Sequence, residues 1–270
     1  MKEAVSRLQD LYMELDGWSS PDDIISGITT KYNGVSKAPF DSLNMGLHVG
    51  DEPEDVIKNR ELLAEDIQFP LDRWTLGEQV HGTEIAVVTK CEAGRGSKSL
   101  TDSIPSVDGL ITNEKGMLLA AFFADCVPLY FYDAASGWIG MAHAGWRGTV
   151  ADMAGKMVES LCAHGAGRDS LQAMVGPCIS KNRYEVDDRI VQQIPGQFRE
   201  KVLSPSAQDR HQLDLQALNR LYLLQAGIRE GNIRTAAYCT YDHEAFFSHR
   251  EDQGKTGRML GFIGMKEAQG

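Results

Sequence analysis

Cysteine is scarce and unpaired in this sequence: Cys91, Cys126, Cys162, Cys178 and Cys239 are odd in number and show no CxxC spacing. That excludes the disulfide framework of a small secreted domain and makes a reducing, cytoplasmic setting the expectation. Long apolar runs are missing too. The amino-terminal "MKEAVSRLQDLYMELDGW" interleaves charges with apolar residues, unlike a signal peptide, and no stretch reaches the ~20 residues that cross a bilayer. Positive charge is in short supply, 27 basic against 38 acidic residues for a net −11. Phosphate backbones and anionic membranes are repelled by such a chain unless a local basic cleft intervenes. A small-molecule partner is therefore expected, with no nucleic acid and no membrane, in a monomer or weak oligomer. Repeats, low-complexity segments and Pro/Gly/Ser-rich linkers are also lacking, so the 270 residues read as a single domain over 1–270.

What is there alternates short apolar strands with amphipathic helices. Val5, Leu8, Leu11 and Leu15 have helical spacing and predict an amino-terminal helix over residues 1–20. Pro53 followed by "EDVIKNRELLAED" carries a helix-start signature. Strands are predicted at 83–90, at 108–126 (two, joined by the turn Asn113 to Gly116), at 171–176 and at 234–240. Thr149 and Asp152, three apart as in a capping box, predict the start of a helix through Leu161, and 214–227 reads as a helix closed by Gly227. Hairpins in place of regular βαβ units predict an α+β fold, a layered α/β sandwich of mixed, hairpin-rich sheets.

The stretch "CVPLYFYDAASGWIGMAHAGWRG" (126–148) reads as one hairpin ending at a helix start. With Asp133 to Ser136 as the loop, Cys126 falls opposite His143, close enough for both to reach one metal ion, whereas a one-residue change in loop length puts them on opposite faces. Pro128 implies an edge or a bulge close by. A cysteine and a histidine alone do not make a metal site; the best placed third ligand is His81 in "GEQVHGTEI". His164, in the polar "AHGAGRD", reads as a solvated helix end, and "GRGSKS" (94–99) lacks the spacing of a phosphate loop.

In order along the chain, "TKYNGVSKAPFDSLNMGLHVGD", "VIKNR", "EQVHG", "ADCVPL", "HAGWRG", "VGPCI" and "SHREDQGKTGR" resemble the YfiH/YlmD-type laccase-domain family over about residues 27–262. The resemblance implies a sandwich fold related to the catalytic domains of bacterial cytotoxic necrotizing factors, and a mononuclear zinc bound by His81, Cys126 and His143. It also implies phosphorolysis of adenosine, inosine and methylthioadenosine, with adenosine deamination, while older descriptions of the family are of copper polyphenol oxidases. The family's "GGVS" turn reads "NGVS" here, and Asn33 is among the few residues that tolerate the left-handed conformation the first glycine supplies.

Two histidines and one cysteine leave zinc's fourth position free, as in catalytic sites. Deamination calls for a proton carrier that is not a ligand, and Asp125, Glu78 and Asp108 are candidates. Phosphorolysis calls for a phosphate site. The helix start near Arg147 offers one, with Arg60, Arg250 and Arg258 as further candidates, and Asn44 and Gln79 could bond ribose or base. Copper suits the same three ligands, with Met141 two residues from His143, although seven histidines in all cannot furnish a multicopper cluster. A metal-free cysteine hydrolase using Cys126 and His143, and a binding module with a structural zinc, are the other readings.

Overall fold

The computed structural model describes residues 2–3, 5–20, 22 and 24–267. The runs "LLAAFF", "VPLYFYD" and "WIGMAHA" are buried along their whole length, as befits strands covered on both faces. Strands β1 (Lys2–Glu3), β2 (Val5–Leu8), β3 (Tyr12–Asp16) and β4 (Ile24–Thr29) precede helix α1 (Pro53–Asp66), which has proline at its first position and acids in its first turn. Then come β5 (Trp74–Leu76), β6 (Ile85–Val87), β7 (Gly109–Thr112), β8 (Leu118–Phe123), β9 (Val127–Asp133) and β10 (Trp138–Ala144). Helices α2 (Trp146–Val150) and α3 (Met153–Ala163) lead to β11 (Gln172–Val175). A small unit follows, with β12 (Glu185–Asp187), α4 (Asp188–Val191), α5 (Gly196–Val202), β13 (Leu203–Ala207) and β14 (Arg210–Leu213). Helix α6 (Leu215–Gln225), β15 (Ile233–Thr235) and β16 (Met259–Met265) complete the chain.

A seven-stranded sheet runs β1-β15-β11-β9-β10-β7-β6 and a six-stranded sheet runs β2-β3-β4-β16-β8-β5. The alternation of side chains decides how they stack. On β9, Leu129 and Phe131 pack with α3 and α6, while Tyr130 and Tyr132 point the other way into the core shared with Met13, Ile28, Leu119 and Ile263 of the second sheet. The Tyr130 hydroxyl crosses that core to donate to the Gly27 carbonyl at 3.0 Å. The outer face of the six-stranded sheet packs Trp74, Leu118 and Phe262 against Leu63 of α1. The order α1, sheet, sheet, α3 with α6 is the layered, mixed sandwich expected. Links 77–84 and 124–126 both carry the chain from the six-stranded to the seven-stranded sheet.

Several local expectations need correction. The amino-terminal segment is no helix: β2 and β3 form an antiparallel hairpin with Leu8 opposite Met13, and Leu8, on the supposed apolar stripe, is exposed. In the long hairpin Trp138 pairs with Asp133 and His143 with Pro128, so the loop is 134–137 and Cys126 lies two positions beyond His143's partner. A slip of two keeps both side chains on one face. Pro128 is neither at an edge nor in a bulge. It is the second residue of a central strand, and its carbonyl accepts from Gly176 where β11 has just ended. Thr149 lies inside α2 and donates to the Ala144 carbonyl, while Asp152, in the left-handed region, caps α3 through Gly155 N–H. The strand expected over 234–240 stops at Thr235, beyond which Cys239 forms only an isolated bridge to Cys178. Asn33 takes a positive φ of 63°, so the turn accommodates the replaced glycine. Among the described residues no helix is long and apolar enough to cross a membrane.

Candidate metal centre and cavity

One carboxylate organises two of the three expected ligands. Asp108, buried just ahead of β7, accepts from the backbone N–H groups of Val80, His81 and Gly82 at 3.2, 3.1 and 2.7 Å. His81 turns these donors inward by adopting a left-handed backbone, φ 60°, a conformation that costs a non-glycine residue free energy and tends to mark functional turns. The same carboxylate meets His143 Nδ1 at 2.8 Å. In the neutral ring that bond keeps the proton on Nδ1 and leaves the Nε2 lone pair toward the centre.

Cys126 follows Asp125, which has φ 82°. The Asp125 carboxylate accepts from the Thr240 hydroxyl and from Arg250 N–H, both at 2.7 Å, and its carbonyl accepts from Ile179 N–H at 3.1 Å. Three loops are thus tied to the residue beside the thiol. Gly145 closes the cradle: a Cβ there would lie 2.8 Å from His81 Cδ2 and 3.2 Å from Cys126 Sγ.

One nitrogen of each histidine and Cys126 Sγ lie within 4.8 Å of one another, and the two rings stand perpendicular with centroids 4.7 Å apart. Ligand bonds of about 2.0–2.3 Å in a tetrahedron need donor atoms roughly 3.5 Å apart, a small contraction of this arrangement. The electrostatics favour an ionised thiol, and an ion that binds displaces the Nε2 proton of the facing histidine. Burial pushes the Cys126 thiol up, but the facing His143 and hydrogen bonds from both histidines outweigh it and hold it at about 6 against an ordinary 9.0. Burial likewise opposes a charged His143, yet the Cys126 thiolate and Asp108 lift it to about 9. Asp108 stays below the usual carboxylate range, its burial outweighed by His143 and the N–H groups of Gly82 and Val80. A thiolate with two imidazoles, one fixed by an acid, is a transition-metal donor set. Among the described residues it is the one group of three or more His, Cys, Asp or Glu side chains close enough to share an ion.

The trio opens into a cavity of ≈ 600 Å³, the size of a small-molecule site. One wall carries Arg147 and Arg250. Arg147 lies over the Trp146 ring at 4.4 Å and Arg250 over Tyr184 at 5.1 Å. Neither guanidinium has a carboxylate partner among the described residues. Arg258 also lines the cavity, with Nη1 held by the Thr256 and Gly257 carbonyls at 2.9 Å.

Other expected site residues are occupied elsewhere. Arg60 is fully buried and outside the cavity, donating to Met45 O at 3.0 and 2.7 Å, Gly96 O at 2.9 Å and Ser97 O at 2.7 Å. Asn44 is equally buried; its Oδ1 accepts from Gly46 and Arg258 N–H and its amide donates to Asp51. Both brace loops. Gln79 lines the cavity, but its amide pairs with the N–H and carbonyl of Phe122. Glu78 lines it too and accepts from Ser106 N–H. Met141 points into the core between the sheets. His48, Trp146, Tyr184 and His249 are lining residues that sequence reasoning passed over; the signal for His48, Trp146 and His249 was their place in the ordered motifs.

The family model described as "Multi-copper polyphenol oxidoreductase laccase" matches residues 25–266. Purine nucleoside phosphorylase YlmD of Geobacillus stearothermophilus is 48% identical over 249 residues, 90% of each chain. The Bacillus subtilis protein of the same name is 43% identical over 250 residues, 91% of this chain and 90% of that one. The crystal structure of the Bacillus licheniformis hypothetical protein YfiH superposes with a TM-score of 0.93 at 37% identity, covering 97% of this chain and 99% of that one. By sequence and by fold, the chain belongs to the multi-copper polyphenol oxidoreductase laccase family, alongside YlmD and YfiH.

Proposed function

We propose that the protein is a zinc-dependent purine nucleoside phosphorylase, cleaving adenosine, inosine and methylthioadenosine to free base and ribose or methylthioribose 1-phosphate, with adenosine deamination as a second activity. The carrying observation is the pair Arg147 and Arg250. In a chain of net charge −11, two guanidinium groups facing the cavity are held by aromatic faces and not by acids, which leaves their N–H donors free for a phosphate. The relatives named purine nucleoside phosphorylases add to the reading. Zinc suits two imidazoles and a thiolate with one position open, and when bound it supplies Lewis-acid polarisation of the substrate. Arg147 and Arg250 hold and orient phosphate, Trp146 and Tyr184 keep the guanidinium planes fixed and exclude water, and Asp108 keeps the Nδ1 proton on His143. Asp125 fixes the backbone at Arg250 and so positions that arginine. A multicopper oxidase needs further clusters of ligands, and the described residues hold a single one.

The test is chromatographic. Metal-quantified protein and Cys126→Ala are incubated with adenosine or inosine, with and without phosphate. Free base released only with phosphate, or inosine formed from adenosine, absent from the variant, is the expected result; unchanged nucleosides from zinc-loaded protein refute the reading. A second reading is favoured by the line Asp108–His143–Cys126, whose first link is 2.8 Å: a cysteine hydrolase in which His143 activates the thiol. Its activity survives chelation and is lost on thiol alkylation, whereas the zinc enzyme's is lost to chelators.

A further inference from the structure

The cavity lining also draws on other elements, with another chemistry. His48, from the loop after β4, tilts its ring against Phe122 at the end of β8 with centroids 5.3 Å apart, the Arg60 guanidinium lies over the same Phe122 ring at 5.0 Å, and Leu100 joins from the 96–103 loop. His48 is open to the cavity, and its ring nitrogens have no hydrogen-bond partner among the described residues. The backbone just before it, by contrast, is braced. The Met45 carbonyl takes two bonds from buried Arg60, and Gly46 N–H is bound by Asn44 at 2.9 Å. Gly46 has no room for a side chain, since a Cβ would lie 2.9 Å from Arg258 Cγ and 3.2 Å from His48 Cε1. A histidine on a loose surface loop would be unremarkable, but here a braced segment presents one unsatisfied polar ring to the cavity.

We infer that His48 reads the nucleobase, donating a hydrogen bond to purine N7. The inference rests on the nucleoside reading above. Phosphate held by Arg147 and Arg250 claims that part of the lining, which leaves the base to the part around His48. Adenine and hypoxanthine differ at position 6, as donor and acceptor, but share N7 as an acceptor, so one donor at N7 serves both. Burial and the neighbouring Arg258 and Arg60 hold His48 down at about 4, so the ring is neutral near pH 7, with one N–H to donate. In the reaction the C1′–N9 bond breaks with its electron pair passing to the purine, a phosphate oxygen bonds to C1′, and the proton of hydrogen phosphate ends on the departing base. A donor at N7 steadies the negative charge that builds there.

The test pairs inosine with 7-deazainosine, in which a C–H replaces N7, and measures binding by calorimetry without phosphate for the zinc-loaded wild type, His48→Ala and His48→Gln. Loss of one hydrogen bond in a partly dry site predicts roughly ten-fold tighter binding of inosine than of the deaza compound by the wild type. His48→Ala binds both at the weaker level, His48→Gln recovers part of the difference through its amide donor, and zinc content and the KM for phosphate stay unchanged in both. A His48→Ala protein that keeps the ten-fold preference, or a wild type without one, overturns the assignment. If the wild type binds neither nucleoside and releases no base with phosphate, the nucleoside reading itself falls and takes this inference with it.

Discussion

Replacing Gly145 by alanine isolates the question of whether His81, Cys126 and His143 act together on one ion. The glycine has φ −64° and ψ 173°, where alanine fits without strain, so the substitution tests space alone. The added methyl would sit 2.8 Å from His81 Cδ2, 3.2 Å from Cys126 Sγ and 3.6 Å from His143 Cε1. Non-bonded carbons settle at about 3.5–4.0 Å, so the His81 ring must retreat by roughly 0.7 Å, whereas ligand distances are held to about 0.2 Å. Overpacking of this kind costs about 1–3 kcal/mol, which is roughly 5- to 150-fold in affinity. His81 is the exposed member of the three and can yield with little loss of packing in the metal-free protein, so the penalty falls on metal binding. Global stability loses only the ~1 kcal/mol of a poorer cap on a short helix. Zinc affinity, read by competition with a chromophoric chelator, is expected to fall within that range, with metal-free thermal unfolding shifted by a few degrees at most. Wild-type zinc affinity in Gly145→Ala would refute the reasoning, because three side chains that enclose an ion cannot ignore a methyl group set among them.

Three further outcomes are expected. Asp108→Asn frees the His143 ring and weakens the 80–82 turn, so zinc affinity falls about 10–100-fold; the same competition assay checks it, and an unchanged affinity counts against Asp108 as the organiser. Arg60→Met leaves the carbonyls of Met45, Gly96 and Ser97 without their donor, so urea unfolding loses about 2–4 kcal/mol, whereas a loss of a few tenths would mean that water replaces it. His48 has a folded pKa of about 4 against an ordinary 6.5, so the unfolded chain takes up a proton that the folded ring refuses. Its contribution is full above pH 6.5 and is lost as the pH falls toward about 4; in His48→Gln the urea midpoint varies less over that window than in the wild type.

The sandwich and its longer elements were legible because burial imposes a pattern: uninterrupted apolar strands, and helices with proline, acid or glycine at the ends. Thr149 misled because it stands three residues before Asp152 yet lies within its own helical turn. The amino-terminal helix failed because Leu8, Leu11 and Leu15 match a 3.6-residue period by chance across a strand, a turn and a second strand. His143 and Cys126 were placed on one face by counting back from a loop, and the face survived only because the loop lies one residue later than assumed, which shifts the pairing by two. Arg60 and Asn44 were beyond reach. A motif arginine that binds a ligand and one that binds three backbone carbonyls look alike in a sequence, and only the fold reveals which carbonyls lack donors. His48 was passed over for the opposite reason, since nothing local distinguishes a histidine on a braced loop from one on a loose loop.

The route of the chain between the two sheets has a consequence for stability. His81 and Cys126 both lie on links that cross from the six-stranded to the seven-stranded sheet, and His143 stands near the end of β10 in the seven-stranded sheet. The ligand set gathers along the end of one sheet, at the entries to β6 and β9 and the exit of β10, where the two links arrive from the other layer. An ion bound there ties those links to the sheet, adding about 4 kcal/mol of stability at a thousand-fold excess over its dissociation constant.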